Sequence, residues 1–237
     1  MNLDALLKHP GLWKGRQQHE GRETISTGHP GLDAALPAQG WPLGALTELM
    51  VAREGIGELS LLLPALDALT RQQQWVALVA PPHIPYAPAL TNAGISLERM
   101  LIVDPEDEPG HNDKNHNDKN AFWAAEQLLR SGVFSAVILW TTKNSNERQQ
   151  RRLQLAAEQG KAWAVCYRPE RVAKTSSPAG LRMVLRHNHG QLQIDIIKNR
   201  GGRLRSLTHT SSDNNQSNTS QVISSLEKSR VERGPAG

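Results

Sequence analysis

Thr27–Leu66 reads TGHPGLDAALPAQGWPLGALTELMVAREGIGELSLLLPAL, and the order of signals within it decides the fold. Leu46–Val51 has the composition of a strand. A glycine-containing turn follows, and then Leu61, Leu62, Ala65, Leu66 and Leu69 recur on one helical face between Glu58 and Gln73. Strand, glycine turn and helix are the layout of a nucleotide-binding loop. A working loop of that kind has the pattern G-x-x-x-x-G-K-[ST]. Its backbone N–H groups cradle phosphate oxygens, the Lys reaches the β/γ-phosphates, and the hydroxyl binds magnesium. Here the stretch is AREGIGEL, Ala52–Leu59. Gly55 and Gly57 remain, but Glu58 stands at the Lys position and Leu59 at the Ser/Thr position. A carboxylate suits a helix N-terminus, yet it repels a triphosphate. The loop reads as kept for the fold and not for a nucleotide, so no cofactor is expected.

Outward from this segment, apolar runs alternate with helical patterns. Strands are expected at Trp75–Ala80, Met100–Val103, Phe134–Trp140 and Ala162–Tyr167, and helices at Tyr86–Ala93, Ala121–Arg130 and Asn146–Gln159. That alternation implies right-handed βαβ units and a parallel sheet. Leu181–Arg186 and Gln191–Ile197 flank His187–Gly190 and read as an antiparallel hairpin that extends or caps the sheet. Residues 104–120, with the tandem repeat HNDKN-HNDKN from His111 to Asn120, read as a polar loop insertion rather than a His/Asp metal tract. From residue 206 onward Ser, Thr, Asn and Gln dominate, the composition of a disordered tail. The expected organisation is a helical arm and linker over 1–26, a core over 27–205 and a tail over 206–237.

Composition narrows the function. The chain has 237 residues, 27 Lys+Arg against 23 Asp+Glu, and a formal charge of +4, a mild basic excess. Its single cysteine, Cys166, excludes a disulfide framework and any multi-cysteine zinc site, and sits in an expected core strand. Six of the ten aromatic residues are Trp, which argues against a Phe/Tyr base-stacking sheet. No apolar run reaches the ~18–20 residues of a membrane span, and the N-terminus lacks the features of a signal peptide. A cytoplasmic protein is expected. No Ser-His-Asp, paired-carboxylate or zinc constellation appears, and the acidic run Asp104–Glu108 reads as solvated surface.

Two groups of residues suggest partners. Arg148, Arg151 and Arg152 open a helix, while Arg182, Arg186, Lys198, Arg200, Arg203 and Arg205 flank the hairpin and its exit. Such cations suit DNA phosphates or an acidic protein face, but ordinary exposed charge explains them as well. No aromatic residue lies within either cluster, 148–152 or 182–205, in sequence. Leu3, Leu6, Leu7, Leu12 and Trp13 form an apolar set ahead of the first core strand, and Trp41, in a Gly-Trp-Pro turn, looks exposed. The N-terminal set is either a docking arm for a partner protein or a second copy, or a helix folded back on its own domain.

The stretch Thr27-Gly28…Gly31–Asp33…Gly40…Pro42–Gly44…Glu48 resembles the start of the RecA ATPase core, as do PPHIPYAPALTNAGISLERMLIV and LLRSGVFSAVILWTT. Within that superfamily, LDALLKHPGLWKGR, GWPLGALTEL, GIGELSLLLPAL, VAPPHIPYAPAL and NAFWAAEQLLRSG resemble the ImuA family, a SulA-like, RecA-related group, from about Leu3 to Arg203. SulA itself resembles the chain mainly from Leu61 to Pro169 and lacks the Thr27–Glu48 segment. The resemblance implies an α/β fold: a RecA-like P-loop core, mostly parallel and flanked by helices, with a degenerate nucleotide loop. The acidic base of RecA-type ATPases falls near Pro82, with His83 a weak substitute, and the acid ending the magnesium-associated strand falls at Trp140. With Lys, hydroxyl, base and strand-end acid all replaced, catalysis is not expected. The implied role is a non-catalytic adaptor of the SOS response, in damage-induced mutagenesis and translesion synthesis. Its partners would be ImuB, RecA and an error-prone DnaE-type polymerase, with direct DNA contact and self-association open. The alternatives are a SulA-like division inhibitor binding FtsZ and a divergent active ATPase.

Overall fold

A computed structural model of the chain describes residues 23–53, 55–105, 114–141, 145–188 and 191–209. Its centre is an eight-stranded sheet. The central strand is β3 (Ala45–Val51), every residue of which is buried. On one side lie β7 (Trp163–Pro169), β6 (Phe134–Trp140), β4 (Trp75–Val79) and the edge strand β5 (Met100–Val103), all parallel. On the other side β8 (Leu181–Asn188) is parallel to β3, and β9 (Gln191–Asn199) and β10 (Arg205–His209) continue antiparallel. A two-stranded ribbon, β1 (Thr24–Ile25) with β2 (Trp41–Pro42), precedes β3. The architecture is a mixed α/β fold with a large, mostly parallel sheet flanked by helices.

Helices cover both faces. A four-residue turn of helix, α1 (Pro30–Asp33), with α2 (Leu63–Arg71) and α3 (Ala87–Asn92), belongs to the side where Leu49, Leu66, Leu78, Ile138 and Trp163 form one apolar cluster. On the other side α4 (Lys114–Arg130) and α5 (Glu147–Gly160) cover Leu46, Ala77, Val137, Leu139 and Ala164. Gly160 is the point of closest approach there: a β-carbon would lie 1.8 Å from the Leu129 carbonyl oxygen. Asn146 starts α5 with a capping box, its side chain accepting from Gln149 N–H while the Gln149 side chain accepts from Asn146 N–H.

Five expectations change. The helix after β3 begins at Leu63, not Glu58, because Glu58 turns its carboxylate back on the preceding loop and Pro64 suits a first helical turn. The helix expected from Ala121 begins at Lys114, so the second half of the polar repeat is helical rather than loop. Arg205–His209, placed partly in a disordered tail, pair with β9 from Ile196 to Leu192, and the core therefore runs through His209. At the other end, Thr24 and Ile25 of the expected linker pair with β2. Trp41 is fully buried and stacks on Trp163, with centroids 5.1 Å apart. The remaining strands stand within two residues of their expected ends. No described helix is long and apolar enough to cross a membrane.

Candidate functional site

The carboxyl ends of the parallel strands carry the loop after β3, the position at which open α/β sheets place ligands. Gly55 and Gly57 have φ of +75° and +87°, conformations that glycine reaches without strain. The turn so formed points backbone N–H groups inward. Glu58, only 7% exposed, fills that concavity with its own carboxylate: Gly55 N–H donates to one oxygen at 3.0 Å and Ile56 N–H to the other at 2.8 Å. An oxygen anion thus sits on the loop amides, as a phosphate does in a working nucleotide loop, but it belongs to the protein.

The loop is fixed from below as well. The Tyr167 hydroxyl, on β7, donates to the Glu58 carbonyl at 2.8 Å. Trp140, at the end of β6, stacks on the Tyr167 ring with centroids 5.0 Å apart and planes at 20°. Burial, and then the Glu58 charge, hold the Tyr167 phenol well above its ordinary pKa, so it stays a donor. Leu59 joins the apolar cluster on the α2 side of the sheet. Pro82 and His83 are exposed in the turn after β4. Trp140 therefore reaches the loop through Tyr167, a residue that sequence reasoning took only as a strand end. An open cavity of about 360 Å³ lies by Gly28 and His209 at the β10 edge, and a smaller one of about 290 Å³ lies beside the loop, lined by Arg53, Gly55–Gly57, Ser60, His187 and Leu192.

A second polar group lies inside the sheet. Glu48, fully buried in the middle of β3, receives Arg168 Nη1 at 2.8 Å, Arg182 Nε at 2.6 Å and the Ser177 hydroxyl at 2.7 Å. Arg182 also donates to the carbonyls of Val172, Ala173 and Thr175, and Arg168 to that of Ser145. This corrects the reading of Arg182 as a surface cation. Arg186 is likewise engaged, by Glu170 and Asp195. The signal for the triad was present in ALTELMV: a carboxylate amid an apolar strand has to find buried partners.

The other cations divide. Lys198 is half-buried, its ammonium donating to the Ser177 carbonyl at 2.6 Å, and burial followed by Arg200 and Arg182 lowers its pKa. Arg200, Arg203 and Arg205 are exposed around the turn before β10. Arg148, Arg151 and Arg152 are exposed on α5, and Arg152 also reaches the buried Glu126 of α4 at 2.5 Å. Leu3, Leu6, Leu7, Leu12 and Trp13 lie outside the described residues, as do residues 106–113 and 210–237. Cys166 is buried, and burial together with the Glu48 charge pushes its thiol up to about 12, which leaves it protonated and inert near neutrality. No cluster of metal-ligating residues occurs among the described residues.

Comparison with known proteins fits this geometry. SulA, a cell division inhibitor, of Pectobacterium carotovorum subsp. carotovorum (strain PC1) is 29% identical over 112 residues, 46% of this chain and 60% of that protein. The Klebsiella aerogenes SulA is 28% identical over 118 residues, 50% of this chain and 63% of the relative. RecA of Colwellia psychrerythraea (strain 34H / ATCC BAA-681) is 27% identical over 117 residues, 49% of this chain and 31% of RecA. The matches thus span under two thirds of the SulA relatives and about a third of RecA. Residues 44–164, from the start of β3 into β7, match the family profile described as cell division inhibitor SulA. With just over half of its length inside that profile, the chain belongs to the SulA family.

Proposed function

We propose that this protein is a RecA-related accessory factor of the SOS response that acts by binding other proteins and does not turn over ATP. The carrying observation is the Glu58 carboxylate seated on the amides of Gly55 and Ile56. A triphosphate would have to displace the Glu58 side chain from a buried position, with Leu59 offering no hydroxyl to magnesium, and Pro82 and Trp140 no carboxylate. Phosphoryl transfer is positioning and charge neutralisation by those parts, and all four are replaced. We infer further that the loop is a vestigial P-loop and the sheet a RecA-like core.

Among protein-binding roles, the adaptor reading takes the ImuA-like partners: ImuB, RecA and an error-prone DnaE-type polymerase. Its support is the part of the fold outside the SulA match, namely the β1–β2 ribbon with α1, and the β8–β10 extension. A second reading, inhibition of division through FtsZ, is favoured by the SulA family match itself. Affinity capture from DNA-damaged cells separates the two. Recovery of RecA, ImuB or polymerase supports the adaptor; recovery of FtsZ, with filamentation on overexpression, supports the inhibitor. Magnesium-dependent ATP turnover lost on changing Gly57 would overturn both in favour of an enzyme.

A further inference from the structure

Sequence spacing places no aromatic residue among the cations of α5, but the fold does. α4 and α5 run side by side on one face of the sheet. Lys119, Trp123 and Glu126 line one wall of a groove between them, and Gln149 and Arg152 the other. Phe122 and Leu153, both buried, form its floor. Trp123 is 62% exposed and presents its indole at the mouth of this groove. The Glu126 carboxylate is neutralised from both sides, by Arg130 at 3.0 Å and Arg152 at 2.5 Å. Helical spacing puts Arg148 and Leu155 on the same face of α5 as Arg152, and both are exposed. Exposed cations beside the groove include Lys119, Arg148 and Arg152, the last also paired with Glu126.

We propose that the α4–α5 face docks an acidic protein segment bearing one bulky apolar side chain, which enters the groove against Trp123 while its carboxylates meet Lys119, Arg148 and Arg152. Charge complementarity selects an acidic occupant. The groove holds about 240 Å³, below the ~300–1,000 Å³ typical of small-molecule sites, which suits a single anchoring side chain. Its closed apolar floor fits an anchor residue. A nucleic-acid strand would call for several stacking aromatics in succession, and this face exposes one. The proposal does not depend on the reading of the loop after β3, so either can fail alone.

The test is selection of displayed random peptides on the full chain, followed by titration of the enriched peptides. Acidic sequences with one aromatic or large aliphatic residue are expected, quenching or shifting Trp123 fluorescence. Trp123→Ala should weaken them about 30-fold and Arg148→Glu about tenfold, with affinity falling as salt rises. Lys119→Glu provides a second charge reversal, and thermal melts of all three variants should match wild type because the side chains are exposed. Failure to enrich an acidic motif overturns the proposal, as does binding indifferent to these substitutions. Oligo(dT) binding lost in the same variants would also overturn it, assigning the face to nucleic acid.

Discussion

Replacing Glu48 with Ala should destabilise the fold by about 4 kcal/mol, because breaking a buried ion pair from one side costs ~3–5 kcal/mol. The loss is unevenly spread between the two arginines. Arg182 keeps three backbone carbonyls, from Val172, Ala173 and Thr175. Arg168 keeps only the Ser145 carbonyl among described partners, and its Nε already lacks one. The side chains are 3% and 6% exposed, so water cannot readily replace the carboxylate. Two pairs share one carboxylate, so the figure is not doubled. For a chain of this length, each kcal/mol shifts the melting temperature by ~2–4 °C, giving a drop of about 8–16 °C by calorimetry. Glu48→Gln, which retains an acceptor but no charge, should fall between Ala and wild type. The triple change Glu48→Leu, Arg168→Met, Arg182→Met removes all three charges together and should return to within ~2 kcal/mol of wild type. A loss below about 1 kcal/mol for Glu48→Ala would refute the reasoning, since it would mean that both guanidinium groups reach water.

Cys166 should resist thiol reagents at pH 8 in the folded chain and react on unfolding. Its thiol titrates at 9.0 when free and about 12 when folded, so above pH 9 the unfolded chain releases a proton that the folded one keeps. Stability should therefore be full below pH 9 and decline toward pH 12, roughly 4 kcal/mol of it from Cys166, and Cys166→Ala should leave only the Tyr167 part of that slope. Ending the chain at Leu204 rather than His209 removes β10 and should lower the melting temperature by several degrees; equal melts would mean that the β9–β10 pairing adds nothing. Glu58→Lys should restore no ATP turnover, whereas Glu58→Ala should lower stability by ~1–3 kcal/mol through two orphaned amides and be partly rescued by inorganic phosphate in a melt.

The alternation of apolar runs was enough to place β3 to β9, because buried parallel strands and one-faced helices leave separate periods in the sequence. The misplacements have specific physical origins. β10 has no apolar run of its own: Arg205, Ser206, Thr208 and His209 take their place from pairing with β9, which a single strand's composition does not encode. Trp41 was misjudged because a Gly-Trp-Pro turn signals exposure locally, while its burial is decided by Trp163, more than a hundred residues away. Arg182 and Arg186 read as free charge until the sheet register placed Glu48 and Asp195 beside them. The groove on α4 and α5 was invisible for the same reason, since Trp123 and Arg152 are brought together only by the packing of two helices.

The loop after β3 differs, since its decisive residue was named in the sequence but only half of its consequence followed. Glu in place of Lys announces the loss of an attraction for phosphate. The fold adds that the Glu58 carboxylate satisfies the amides that a glycine turn would otherwise leave open. A loop shaped for an anion is costly when empty, because its N–H groups converge with no acceptor. Without Glu58 that cost would stand, and its carboxylate removes it. The Tyr167 hydroxyl and the Trp140 ring then complete a contact chain from the loop to β6 and β7. On the proposed reading, a turn whose anion is supplied internally is kept for the fold, and partners meet exposed faces such as that of α4 and α5.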